Sequence, residues 1–60
     1  MKAIIEAAAV HHFGPIGAMV CEEYLADAQG DVRQIMLEIA NDVGASEADT
    51  RAFFKSVSNG

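Results

Sequence analysis

The sequence predicts an all-α fold, a compact bundle of three to four short helices. Three observations predict it. Apolar residues recur at helical spacing in each of four segments. A Gly-Pro step and two single glycines divide those segments. Asp31 and Ser46 stand where helices would start, each followed by a further polar residue at cap spacing. Composition agrees: 52% of the 60 residues are apolar, and eleven are alanine, the best helix former. The chain reads as a single helical domain over 1–57, with 58–60 as a frayed tail.

The first helix is expected over about Lys2 to Phe13, where Ile5, Ala8, Ala9, His12 and Phe13 share helical spacing. Its only Lys, Arg, Asp or Glu side chains are Lys2 and Glu6, one turn apart and able to pair weakly. The polar face is narrow, and Ile4, Ala7 and Val10 lie beside or opposite the main stripe. Gly14-Pro15 ends this helix and opens the next. Proline suits a first helical position because its missing N–H is not needed there, and the residue before a proline is driven out of the helical region.

The second helix begins with seven residues, Pro15 to Cys21, that carry no charged or hydrogen-bonding side chain beyond the cysteine thiol. A helix apolar all round is expected to be buried on every side. Ile16, Met19, Val20 and Tyr24 form one broad face, and Ala18, Cys21 and Leu25 an adjacent one. Glu22, Glu23 and Asp27 supply the polar side. Gly17 costs about 1 kcal/mol relative to alanine inside a helix, a cost explained if a neighbouring helix packs on its bare backbone. Gly14, Pro15, Ile16 and Gly17 together are read as a structural hinge. Gly30 is expected to cap this helix.

The third helix opens at Asp31, paired in capping-box fashion with Gln34, and presents Val32, Ile35, Met36, Ile39 and Val43 as a stripe closed by Gly44. The fourth opens at Ser46-Glu47-Ala48-Asp49 and presents Phe53, Phe54 and Val57, with Arg51 and Lys55 towards its C-terminal end. The expected core is Ile5, Phe13, Ile16, Met19, Val20, Tyr24, Ile35, Ile39, Val43, Phe53, Phe54 and Val57.

The function classes narrow accordingly. Nine acids against four bases give a net charge of −5, which repels nucleic acid and anionic membrane surfaces and favours basic protein partners. The single cysteine, Cys21, excludes an intrachain disulfide and fits a reducing, cytoplasmic setting. The N-terminal segment has an acid in its apolar run and His11-His12 after it, so no signal peptide is expected. No apolar run approaches the ~20 residues that span a bilayer.

Catalytic chemistry finds little support. Cys21 and a histidine lack a third orienting group and a glycine-rich oxyanion turn, so no enzyme activity, catalytic residue or cofactor is expected. His11, His12 and Cys21 are metal-ligand types, yet adjacent helical side chains point about 100° apart, and a structural zinc site normally shows paired ligands at short offsets. No metal is expected. The histidines read as a core-margin residue (His12) and a solvent residue (His11), with Met19 and Met36 as core filler.

At Gly14-Pro15-Ile16-Gly17-Ala18-Met19-Val20 the chain resembles a small helical domain found at the C-terminus of some bacterial serine/threonine kinases, nucleotide cyclases and other signalling proteins. That family shows a Gly-Pro-Ile-Ala step, an aliphatic run, a helix of regular aliphatic spacing and a final Arg-x-x-Phe. The matching residues are Gly14-Pro15-Ile16, Met19 and Val20, then Ile35, Leu37 and Ile39, then Arg51 and Phe54. Gly17 stands in place of the family's alanine, and Glu22-Glu23 where it tends to carry basic or neutral residues. The resemblance implies an accessory interaction module with no catalytic residues.

These readings lead to a non-enzymatic protein–protein interaction module in bacterial cytoplasmic signalling or regulation. It is expected to self-associate, a dimer first, through apolar surface on helix one beyond what so small a core hides. Ile4, Ala7, Ala8 and Val10 are the expected interface, and charging Ala8 to Asp is expected to dissociate the assembly. The alternatives are a monomeric adaptor docking on a larger protein by a helix-in-groove mode, and a small metal-binding or redox-responsive protein using His11, His12 and Cys21.

Overall fold

A computed structural model describes residues 2–26 and 31–59. They form four helices: α1 (Lys2–Phe13), α2 (Pro15–Ala26), α3 (Val32–Asp42) and α4 (Glu47–Asn59). Among the described residues there is no strand, so the fold is all-α. The expected cap at Gly30, and Asp27 of the acidic side of α2, lie outside the described residues.

Local chemistry sets each junction. Gly14 sits at φ +77°, a left-handed conformation open to glycine at little cost, and its N–H donates to the Val10 carbonyl at 2.9 Å. The chain turns there, and Pro15 opens α2 in the first helical position as expected. The Asp31 carboxylate caps α3 by accepting the Arg33 N–H at 3.0 Å, so the bond falls on the second helical residue instead of on Gln34. At the other end of α3, Gly44 (φ +74°) donates to Asn41 O at 3.1 Å and Ala45 to Ala40 O at 3.0 Å. Those two bonds make a Schellman closure that satisfies otherwise free carbonyls. Ser46 Oγ then accepts the Asp49 N–H at 3.1 Å, the expected cap of α4. The Thr50 hydroxyl donates back to Ser46 O. α4 extends through Asn59, so Ser58 and Asn59 are helical and do not belong to a frayed tail.

The four helices form a ring. α1 packs on α2 and α4, and α3 packs on α2 and, more lightly, on α4. α2 and α4 are thus diagonal. Each helix has two main neighbours among the described residues.

Ile5, Ala9, Cys21, Ile39 and Phe53 are essentially inaccessible at the centre, with Ala8, Val20, Leu25, Met36, Ala40 and Val57 around them. Phe13 lies edge-on to Phe53, ring centroids 5.1 Å apart, and joins α1 to α4. Of the expected core, Phe13, Tyr24, Ile35, Val43 and Phe54 pack half-buried against this cluster.

Ile16 and Met19 depart from expectation: they are 51% and 68% exposed. The reason is Gly17. A Cβ built there would lie 2.9 Å from the Ala9 carbonyl carbon and 3.1 Å from Phe13 Cβ, so α1 presses directly on the bare backbone. That approach turns the Gly17, Val20, Cys21 and Leu25 face of α2 inward. Ile16, one residue earlier and about 100° round the helix, turns outward with Met19.

Candidate functional site

The residue types that suggested chemistry come first. Cys21 is buried among apolar side chains. Burial, and after it the Glu6 carboxylate, push its thiol above the ordinary value of 9.0. A thiol held neutral is a poor nucleophile and a poor metal ligand. His11 is exposed while His12 is half-buried, as expected. Among the described residues no three His, Cys, Asp or Glu side chains gather as metal ligands, so His11, His12 and Cys21 are not brought together as a metal site.

The structure does bring together a pair absent from the sequence reading. His12 Nε2 lies 2.8 Å from Ser56 Oγ, linking α1 to α4. The two residues are 44 positions apart, and no local spacing announces such a pair. They border a shallow depression with Ala52, Lys55 and Asn59. A nucleophile and a base at this distance meet one requirement of acyl transfer, but the chemistry also needs a group that orients the imidazole and donors for an oxyanion. What the pair shows directly is an interhelical tie between α1 and α4.

The α1 residues expected at an interface divide three ways. Ala8 is buried within the chain's own core, because it faces inward one turn after Ile5. It is not available to a partner, and charging it would strike the fold itself. Ile4 is half-buried against the same core. Ala7 is exposed, and Val10 is 43% exposed. The hinge residues Gly14, Pro15, Ile16 and Gly17 form the α1–α2 corner, with Gly17 as its tightest point.

The larger accessible apolar side chains are therefore on α2 and α3. Ile16 and Met19 stand on one outward face of α2, with Glu22 and Glu23 a turn further on, both exposed. On α3, Leu37 is 45% exposed. It lines a shallow, open groove of about 630 Å³ between α3 and α4, whose mutual contact is light. Phe54 and Ala45 complete the apolar lining, and Arg33 and Arg51 stand on either side. Arg51 pairs with Glu47 one turn before it. Both partners are highly exposed, so water screens the pair and it is readily exchanged.

On the α2 side of α3 the electrostatics are opposite. The Asp42 carboxylate beside it foremost, then burial, and then the charges of Asp42, Glu38 and Glu23 raise the Tyr24 phenol above its ordinary value of 10.0. Asp42 at the end of α3 thus lies near Tyr24 of α2, while Arg33 at its start lines the groove.

Fold and surface together describe a small helical domain that buries one core and leaves an apolar ridge and an apolar groove on separate faces. No family model, curated protein or solved structure matches the chain.

Proposed function

We propose that the protein is a non-enzymatic protein–protein interaction module that self-associates. One observation carries this reading: Ile16 and Met19 are displayed side by side at 51% and 68% exposure among the described residues. Exposed contiguous apolar surface marks interaction sites. The exposure of Ile16 and Met19, together with the burial of Ala8, supports seeking the contact on α2 rather than on α1.

A bacterial cytoplasmic signalling or regulatory setting accompanies the proposal. It is supported by the Gly-Pro-Ile resemblance and by the lone cysteine. No described helix is long and apolar enough to cross a membrane.

Light scattering on a size-exclusion column, over a wide range of loading concentrations, tests the proposal. A mass of two chains or more supports it. A single-chain mass at every concentration rejects it and leaves the monomeric adaptor, whose natural docking site would be the α3–α4 groove.

A further inference from the structure

Self-association can pair a surface with itself or with a different surface, and the two give different assemblies. The charges distinguish them here. The chain has four Lys and Arg residues. Two of them, Arg33 and Arg51, line the α3–α4 groove around Leu37 and Phe54. The charged side chains described on α2 are both acids, Glu22 and Glu23, and they lie three and four residues beyond the exposed Met19. An apolar ridge followed by acids faces outward on one side of the molecule. A groove lined by Leu37, Phe54 and Ala45, with Arg33, Thr50 and the Arg51–Glu47 pair around them, opens between α3 and α4.

We propose that the α3–α4 groove receives the α2 ridge of a second copy of this chain, Ile16 and Met19 seating on Leu37 and Phe54 while Glu22 and Glu23 meet Arg33 and Arg51. This rests on the self-association reading and assigns its two surfaces. Pairing ridge with ridge in parallel would set Glu22 and Glu23 against their own copies, and pairing it antiparallel would separate those acids but offer them no cation, since the charged side chains described on α2 are both acids. Pairing ridge with groove satisfies both the apolar and the charged parts. Arginine suits this role because its planar donor fork matches a carboxylate. Arg51 is already paired with Glu47 in the groove, so Arg33 is the cation first offered to the incoming acids and Arg51 is shared between Glu47 and one of them.

The two surfaces are built from different helices, α2 on the one hand and α3 with α4 on the other, so one contact leaves a free ridge on one copy and a free groove on the other. Such head-to-tail contacts either close into a ring or continue as an open chain. The assembly therefore grows past two copies as concentration rises.

The test is complementation between two surface variants, Met19→Asp and Leu37→Asp, followed by sedimentation equilibrium. Met19→Asp keeps its groove, and Leu37→Asp keeps its ridge. Both positions are exposed, and circular dichroism confirms that each variant is folded before the masses are compared. The expected result has three parts. The wild-type mass rises beyond two chains with concentration. Each variant alone stays at one chain. The equimolar mixture forms a heterodimer that grows no further, since its one remaining ridge and one remaining groove are both disabled. The contact should also weaken in Arg33→Glu and recover when that variant is mixed with Glu23→Arg.

Other outcomes are decisive as well. An oligomeric Leu37→Asp beside a monomeric Met19→Asp means that ridge pairs with ridge; the groove assignment is then wrong while self-association stands. Oligomers in both variants place the interface elsewhere and overturn the assignment. A monomeric wild type removes the self-association reading itself.

Discussion

At the scale of single residues, Gly17 sets which face of α2 turns inward. Helix propensity alone says that alanine there would gain about 1 kcal/mol. The geometry says the reverse, because the added Cβ would meet the Ala9 carbonyl, a backbone group that cannot swing aside. Gly17→Ala is therefore expected to destabilise the fold by about 1–3 kcal/mol, the usual penalty for overpacking. Urea denaturation followed by circular dichroism measures it, and an increase in stability would show that α1 is not in close contact. The His12–Ser56 tie is worth less. Ser56→Ala removes one half-buried hydrogen bond and should cost about 0.5–1.5 kcal/mol in the same assay. Ala8→Asp differs in kind: it places a charge in the core and should unfold the chain instead of cleanly dissociating an oligomer.

At the scale of elements, the boundaries were legible and the facing of two helices was not. Gly14-Pro15, Asp31, Gly44 and Ser46 act through their own backbone neighbours, so local sequence is enough to place them. In α3 and α4, apolar and polar residues alternate with a clear helical period. The stripe therefore points to Ile39, Phe53 and Val57, all of which are buried. α1 and α2 are apolar nearly all round, and a pattern without a polar face carries no direction. Ile16 and Met19 looked like core for that reason. The signal that decides was already present in Gly17, since a bare backbone in mid-helix marks the side that a neighbour presses. The His12–Ser56 pair and the α3–α4 groove arise only from packing between distant segments, and nothing in the spacing encodes them.

The α2–α3 contact also carries a pH dependence. Asp42, with Glu38 and Glu23, raises the Tyr24 phenol above 10.0, and burial raises the Cys21 thiol above 9.0. The folded state thus holds both protons more tightly than the unfolded chain does. The associated stability is fully present below the ordinary values and is lost as pH rises through the raised ones. The melting temperature should hold steady from neutral pH to about 9 and fall above it. In Tyr24→Phe the part of the fall that sets in above about 10 should be smaller. A profile unchanged by that substitution would mean that the phenol does not sense the acids of α3.

At the scale of the whole molecule, the arrangement follows from its size. A chain of about this length buries only about 60% of its unfolded surface, and a ring of four short helices gives each one only two neighbours. A helix that is apolar on more than two sides must then display the remainder. α2 is that helix, and its exposed ridge is the feature that the fold alone leaves unexplained. A partner copy would cover the ridge and add stability by mass action, so the melting temperature should climb with protein concentration.

The most direct measurement is sedimentation equilibrium on the wild-type chain beside the double variant Ile16→Asp/Met19→Asp, at matched concentrations. A wild-type mass above one chain that falls to one chain in the folded double variant is the predicted result. A wild-type chain that stays single, or a double variant that assembles as well as the wild type, would contradict the claim that α2 carries the contact.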